Sequence, residues 1–227
     1  RSWPCIMVPT TEMDSVESMA ALESGSGPPR GFPVGEFESR CAKAQAAMSL
    51  GGIDALLLTA EPEVRYFSGF LTPFWQSPTR PWFLVVPASG KPVAVIPEIG
   101  LDCMASTWIE DIRTWPSPDP QDDGVSLLAD TLRERTGKGG IVGISMGPET
   151  HIRMPHADWL RLNANYDFKI KDATPLLKSL RMVKSEAEIE KIHHICGIVS
   201  GVFEALPSWV ALGMPATDVF RQFRIEA

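Results

Sequence analysis

One short segment of the sequence combines side chains that could bind a small organic substrate. Residues 71–82 read LTPFWQSPTRPW, with two adjacent aromatic residues, Phe74 and Trp75, and a single cation, Arg80. Prolines restrict the backbone around these residues, so the side chains can be held outward at low entropic cost. A guanidinium group matches the geometry of a carboxylate. The alternative interpretation is an aromatic cluster that packs the edge of the domain, and the sequence leaves both open.

Candidate metal ligands are few and poorly spaced. His193 and His194 are adjacent, and neighbouring residues of a helix point about 100° apart, so the two rings cannot chelate one ion together. Cys196 shares a helix face with His193 but adjoins an apolar stripe. His151 and His156 flank a proline and have no acidic residue at a suggestive spacing. Because tetrahedral sites usually need three or four ligands, we predict no metal site in this chain. We also assign no catalytic residue.

Composition and motif content exclude several classes of protein. The chain has 227 residues, 44% hydrophobic and 22% charged, with a formal net charge of −7. A negative balance argues against nucleic-acid and anionic-membrane partners, since both require clustered Lys and Arg. No apolar run approaches the roughly 20 residues that span a bilayer. Ser68 and Ser145 lie outside any GxSxG motif, and no phosphate-binding loop or dinucleotide fingerprint is present.

The cysteines favour a reducing compartment. Cys5, Cys41, Cys103 and Cys196 are far apart and form no CxxC pair, so no disulfide framework is expected at this density. The first ten residues carry one charge and two prolines and lack the apolar core of a secretory signal. We therefore expect a cytoplasmic protein. Position 1 is not Met, which leaves open whether the chain is processed or belongs to a longer protein.

Hydrophobic periodicity predicts alternating helices and strands. A helix from near residue 36 is expected to end at Gly51-Gly52 and to precede a buried strand at 55–59. Residues 63–70 are expected to leave that strand and turn on a glycine, and the prolines of 115–120 predict a loop. Further strands are predicted at 83–86, 93–96, 141–144 and 168–170, and further helices at 100–108, after Asp122 or Asp123, from Pro155, and at 175–180. This alternation indicates an α/β fold, a mixed β-sheet with helices on both faces.

Changes in composition suggest three regions. Residues 1–34 are predicted to be a flexible lead-in, because residues 24–33 are rich in Gly, Pro and Ser. The α/β domain is then expected over residues 35–180. Ser185 and Glu188 have the spacing of a helix capping box within the last region, 181–227. The helix that follows carries an apolar face made of Ile189, Ile192, Ile195, Val199, Val202 and Phe203.

Six segments in a fixed order resemble the creatinase / aminopeptidase P / prolidase family, the pita-bread metallohydrolases. After the first helix come GIDALLLT at 52–59, VRYFSGF at 64–70 and a hairpin ending in Pro97. VGI at 142–144 and LRMVKSEAEIE at 180–190 complete the series. Each segment alone is weak, but their common order and spacing are specific, and the resemblance covers roughly residues 36–227.

The resemblance implies a two-domain protein with an N-terminal α/β domain that mediates oligomer contacts, which we expect to form a homodimer. In peptidase members, the C-terminal domain binds two divalent metals, of Mn or Co type, through two Asp, one His and two Glu, and cleaves a peptide bond that usually precedes proline. Similar loops reach into the partner's active site, where an aromatic residue and an arginine touch the substrate. On that resemblance Phe74 or Trp75 is the apolar wall of the pocket, and Arg80 binds a carboxylate.

One departure from the family limits these expectations. The sequence contains no set of Asp, His and Glu that can be carried over as metal ligands, and it ends at Ala227. Residues 181–227 are therefore expected to supply only the linker and the first helices of an incomplete catalytic pita-bread domain. We therefore expect the oligomerisation and pocket-shaping part of an Xaa-Pro peptidase-like hydrolase, inactive alone, whose full-length form takes a proline-containing peptide or small amide. Two alternatives stay open, a free-standing binding or regulatory module and part of a creatinase-like amidinohydrolase.

Overall fold

The computed structural model describes residues 27–77 and 80–227. These residues belong to two compact units, one formed by Gly31–Ala187 and a second that includes Glu188–Ala227. Most of the predicted lead-in, residues 1–26, lies outside the described residues.

The first unit alternates strands and helices along the chain. Its strands are β1 (Ala55–Leu58), β2 (Phe83–Pro87), β3 (Val93–Pro97), β4 (Asp111–Trp115), β5 (Ile141–Ile144) and β6 (Lys169–Asp172). Its helices are α1 (Val34–Gly51), α2 (Glu61–Ser68), α3 (Leu101–Ala105), α4 (Val125–Thr136), α5 (His156–Asn165) and α6 (Thr174–Met182), with short 3₁₀ turns at Pro73–Gln76 and Glu98–Gly100. The helix α7 (Glu186–Trp209) then leads into the second unit, which also contains α8 (Ala216–Glu226).

The six strands form one mixed sheet in the order β4-β3-β2-β1-β5-β6. Strand β2 is antiparallel to both of its neighbours, β1 and β3. The remaining pairs, β1 with β5, β3 with β4 and β5 with β6, are parallel. The prediction of a mixed sheet is therefore confirmed.

Helices cover both faces of this sheet, as predicted. Successive side chains of a strand point to opposite faces, and in β1 Leu56 and Leu58 belong to one apolar cluster while Ala55 and Leu57 belong to another. The first cluster is completed by buried residues of α1, α2, α3 and α6. The second is completed by residues of α4 and α5. All four residues of β1 are buried, which explains its continuous apolar sequence.

Helix α1 ends where the sequence predicted. Gly52 follows it with φ 58°, a left-handed conformation, and its backbone N–H donates to the carbonyls of Met48 and Ser49. A glycine at this position satisfies two carbonyls at the end of the helix with no steric cost from a Cβ atom.

The segment after β1 differs from its prediction, because residues 61–68 form the helix α2 before the glycine turn. Ser68 closes this helix. Its hydroxyl donates to the Val64 carbonyl at 2.6 Å and accepts from the Phe70 N–H at 3.0 Å. The Tyr66 hydroxyl donates to the carbonyl of Leu180 at 3.1 Å. The helix is therefore capped by its own sequence and tied to the end of α6.

Strand β4 was not predicted, and the loop expected at 115–120 therefore begins one residue later, since Trp115 ends the strand. The sequence of β4 is polar because the strand lies at an edge of the sheet. The Arg113 guanidinium binds Asp111 at 2.9 Å and Glu134 at 2.7 Å, and Arg135 binds Asp111 at 2.6 Å. Strand β4 is thus joined to α4 by ion pairs, and its sequence lacks the alternation of apolar and polar residues by which strands are recognised.

The second unit has an exposed apolar surface. In α7, Ile189, Ile192 and Ile195 are 47–58% exposed. Farther along the chain, the Phe203 ring packs edge-on against Phe223 of α8, with centroids 5.0 Å apart. In the described part of the chain, no helix combines the length and apolarity that a membrane crossing requires.

Gly124 offers a test of how tightly β4 and α4 pack. Its φ is 84°, and an added Cβ would lie 2.7 Å from the Trp115 ring. We expect Gly124→Ala to lower the free energy of unfolding by about 1–2 kcal/mol for the left-handed backbone and by about 1–3 kcal/mol more for overpacking. The measurement is urea unfolding of both variants. Gly139→Ala is the control, because Gly139 has φ 70° but nothing within 4 Å of the added atom; equal losses would contradict the packing argument.

Candidate functional site

The carboxyl ends of β1, β5 and β6 lie at the same end of the sheet, because these neighbouring strands are parallel. Strand β2 is antiparallel to β1, so the loop that enters β2 from residue 71 leads to the same end. Open α/β sheets bind ligands outside the carboxyl ends of their strands. We therefore take this end of the sheet as the candidate functional site. It contains the loop that the sequence singled out and a cleft that the sequence did not reveal.

Within the loop, the three predicted site residues have different environments. Trp75 is 7% exposed and packs in the core with Phe70 and Trp82 at ring-centroid distances of 6.2 Å. Phe74 is 37% exposed and stacks on the same Trp82 ring, 6.3 Å between centroids. The Arg80 guanidinium lies 5.7 Å from the Phe74 ring centroid. The structure thus brings the exposed Phe74 ring and Arg80 together and buries Trp75.

Arg153, from the segment between β5 and α5, holds this loop in place. Its guanidinium donates to the carbonyls of Arg80, Ser77 and, at 3.2 Å, Phe74. It also lies 5.2 Å from the Trp75 ring centroid. Burial lowers the pKa of this guanidinium, and the charge of Glu61 acts in the opposite direction. No sequence signal marks Arg153, because its partners are main-chain atoms more than 70 residues away.

A cleft of about 150 Å³ opens between the start of α2, the chain after β5 and one face of α6. Its lining includes the buried carboxyl group of Glu63, the hydroxyl group of Ser145 that contacts it, and three basic side chains, His151, Lys178 and Arg181. His151 was expected to be a surface residue, and the structure makes it an exposed member of this lining.

Glu63 is the most perturbed acid of the cleft. It is 9% exposed, and the Ser145 hydroxyl donates to its Oε1. Burial raises the pKa of the Glu63 carboxyl, while the hydrogen bond from Ser145 and the charges of Arg181 and His151 act in the opposite direction. Ser145 lies outside any nucleophile motif, and its role as hydrogen-bond donor to a carboxyl group 82 residues away leaves no signal in the local sequence. Perturbed acids in clefts are candidates for function.

The described residues do not offer a metal centre. Within 27–77 and 80–227, no three His, Cys, Asp or Glu side chains are grouped so that they could hold an ion. The ligand set that the sequence resemblance implies for a catalytic half therefore has no counterpart among them. Of the described cysteines, Cys41 is buried, Cys103 and Cys196 are exposed, and all three are free thiols.

The raised pKa of Glu63 predicts a pH-dependent stability. The folded protein holds the Glu63 proton to a higher pH than the unfolded chain, whose pKa is near the ordinary value of 4.5. Its contribution to the free energy of unfolding is therefore full below pH 4.5 and lost as pH rises through the raised pKa. Glu63→Gln lacks this titration, so we expect the variant to gain stability relative to the wild type as pH rises.

The measurement is urea unfolding of the wild type and the variant from below pH 4.5 to neutral pH. Glu98→Gln, which replaces an exposed carboxylate, is the control and should track the wild type. A stability difference between the wild type and Glu63→Gln that does not change with pH would show that the carboxyl group is not perturbed by folding.

Comparison with known sequences identifies relatives of this chain. Residues 40–183 match the family described as Creatinase/Prolidase N-terminal domain. Agropine synthesis cyclase from Rhizobium rhizogenes is 30% identical over 192 residues, which are 81% of this chain and 46% of that protein. The probable dipeptidase PepE from Mycobacterium tuberculosis (strain H37Rv) is 27% identical over 194 residues, 84% of this chain and 48% of that protein.

Solved structures show the same architecture. The dipeptidase PepE from Mycobacterium ulcerans aligns with a TM-score of 0.67 at 25% identity, over 87% of this chain and 51% of that chain. A prolidase from Thermococcus sibiricus aligns with a TM-score of 0.70 at 18% identity, over 84% and 49%, a likeness of fold. The chain spans about half the length of the curated relatives it matches. With its family match extending over more than half of its residues, the chain belongs to the creatinase/prolidase family and carries that family's N-terminal domain.

Proposed function

We propose that this chain is the oligomer-forming and pocket-shaping part of a metal-dependent hydrolase that acts on Xaa-Pro peptides. The observation that carries the proposal is the pairing of Phe74 with Arg80 on a loop fixed from behind by Arg153. Relatives named as dipeptidases and a prolidase support the choice of a peptide substrate.

The loop suits the carboxyl-terminal end of a proline peptide. The half-exposed Phe74 ring offers an apolar face for a pyrrolidine ring, and the Arg80 guanidinium beside it can bind a carboxylate through two parallel hydrogen bonds. Three loop carbonyls bound by Arg153 keep the two side chains in place before substrate arrives. Such preorganisation lowers the entropic cost of binding.

The hydrolytic step needs groups outside this site. Two divalent ions of Mn or Co type would supply a metal-bound water as the nucleophile, and the described residues contain no ligand set for them. We therefore assign no step of hydrolysis to this domain. Its part is to bind and orient substrate for a catalytic half, in a cytoplasmic homodimer in which the loop of one copy completes the pocket of the other.

The similarity to agropine synthesis cyclase favours a second candidate. In it, the same loop serves a catalytic half that acts on a small organic molecule instead of a peptide, and Arg80 binds the carboxylate of that molecule. The two candidates make the same use of Phe74 and Arg80 and differ in substrate.

Oligomerisation and inactivity of the isolated chain can be tested together. We expect the 227-residue chain to elute as a homodimer in size-exclusion chromatography with light scattering. We expect no hydrolysis of Xaa-Pro dipeptides when Mn²⁺ or Co²⁺ is added, since the described residues hold no ligand set. A monomer would remove the oligomer-forming role, and metal-dependent hydrolysis would place a catalytic centre in the chain itself.

The pocket-shaping role can be tested in a chimera with PepE from Mycobacterium tuberculosis. Because the family match ends at residue 183, residues 1–183 would replace the matching half of PepE. We expect Arg80→Gln to raise the KM for Xaa-Pro dipeptides by about tenfold or more, as a charge-assisted hydrogen bond is lost, and Phe74→Ala to raise it in the same direction. The readout is steady-state kinetics against the unsubstituted chimera.

A charge-matched control is Arg133→Gln on α4, because the Arg133 side chain is 55% exposed and pairs with Asp130. Arg153→Lys should act through the loop and raise KM by an intermediate factor, because an ammonium cannot bind three carbonyls with the geometry of a guanidinium. If Arg80→Gln and Arg133→Gln leave KM equally unchanged, the loop does not touch the substrate.

A further inference from the structure

The buried carboxyl group of Glu63 lines a cleft that the proposed function does not use, and one of its oxygens is available to a ligand. The Ser145 hydroxyl donates to the other oxygen, Oε1. Among the described residues, no hydrogen bond or ion pair is made by Oε2, although the side chain is 9% exposed and lines the cleft. A carboxylate in the first turn of α2 also stabilises that helix end, but this role does not account for the basic groups that face it.

Basic side chains line the other side of the cleft. Lys178 and Arg181 lie nearly one turn apart on α6, and His151 comes from the chain after β5. The Arg181 guanidinium makes no hydrogen bond or ion pair with any described residue, whereas the main-chain carbonyl of Arg181 accepts from Lys184. The Lys178 ammonium reaches only the Pro148 carbonyl, at 3.4 Å. The Arg181 guanidinium is therefore available to a ligand, and the Lys178 ammonium has hydrogen-bonding capacity to spare.

The acidic and basic groups that line the cleft do not pair with each other. No ion pair within 4.0 Å joins Glu63 to Arg181, Lys178 or His151 in the part of the chain that the structure describes. Opposite charges that lie close together usually form an ion pair, since pairing recovers part of the free energy that burial of a charge costs. A separation that is kept across an open cleft leaves room for a ligand with a positive and a negative end.

The size of the cleft limits the ligand. Its volume of about 150 Å³ is that of a cavity that holds benzene, about six non-hydrogen atoms. Alanine has six. Between the charged groups, Ala60 and Leu177 provide apolar surface, each less than 10% exposed.

Charge complementarity selects among molecules of this size. Besides the groups already named, the charged lining includes Glu149, so the cleft is lined by two carboxylates and by Lys178 and Arg181, and their formal charges cancel. A simple carboxylate would leave the Glu63 charge unmatched, and a simple amine would be repelled by Arg181 and Lys178. A zwitterion leaves neither end unmatched.

We propose that this cleft is a binding site for a free α-amino acid with a small side chain. The ammonium group of the ligand donates to Glu63 Oε2, and its carboxylate accepts from Arg181 and Lys178. The site is distinct from the loop of Phe74 and Arg80, and the proposal stands whether or not that loop serves a hydrolase.

The experiment is isothermal titration of the 227-residue chain with L-alanine, acetate and ethylamine, which carry both charges, the carboxylate alone and the amine alone. We expect saturable millimolar binding of alanine and affinities at least about tenfold weaker for the other two, because each lacks one charge-assisted contact. No binding of alanine would overturn the proposal. Acetate binding as tightly as alanine would reduce the cleft to an anion site and overturn it as well.

Substitutions locate the site. Arg181→Gln changes an exposed residue and should leave the fold intact while weakening alanine binding at least about tenfold. Glu63→Gln should remove the preference for alanine over acetate. Arg133→Gln, on α4 at the opposite face of the sheet, is the charge-matched control and should bind alanine like the wild type. Equal affinities for Arg181→Gln and Arg133→Gln would place any bound alanine elsewhere and overturn the assignment.

Discussion

The two-sided burial of β1 is the constraint on which the rest of this domain depends. Its four residues send alternate side chains into two apolar layers, and its backbone pairs with β2 on one side and β5 on the other. A slip of one residue would exchange the two layers, so the register is strongly fixed. Strand β2 is antiparallel to β1 and β5 is parallel to it. The loop entering β2 and the chain leaving β5 therefore lie at the same end of the sheet, outside the carboxyl end of β1.

Polar contacts in addition to the apolar core stabilise this end of the sheet. The Arg153 backbone N–H donates to the Thr59 hydroxyl at 3.0 Å, directly after β1, and its side chain binds the loop on the way to β2. Buried main-chain carbonyls are costly without partners, and a guanidinium with five donors can serve several at once. A single side chain thereby fixes the irregular loop relative to the regular strand, and the loop depends on the strand for its position.

Local sequence predicted the architecture well, whereas most contacts of the candidate site leave no mark in it. The apolar run at 55–59 and the paired glycines after α1 were sufficient to place a buried strand and a helix end, since both signals involve neighbouring residues. Strand β4 was missed because Asp111 and Arg113 are satisfied by partners on α4, which no pattern within the strand records. The contacts of Ser145 with Glu63 and of Arg153 with the loop were missed because they join residues that only the sheet order brings together. Phe74 and Arg80 stay predictions, and they were singled out because prolines on both sides of an aromatic segment are visible in the local sequence.

The charges at the two edges of the sheet have a consequence for how copies of this domain can associate. Strand β4 presents Asp111 and Arg113, and β6 at the other edge presents Lys169 and Lys171. Exposed edges invite further strands to add by backbone pairing, and charged residues, lysine above all, oppose that addition. Growth of the sheet into a continuous ribbon is therefore disfavoured at both ends. Surfaces other than the two edge strands are therefore left for any contact between copies, and the sheet itself does not offer the apolar edge that nucleates a fibre.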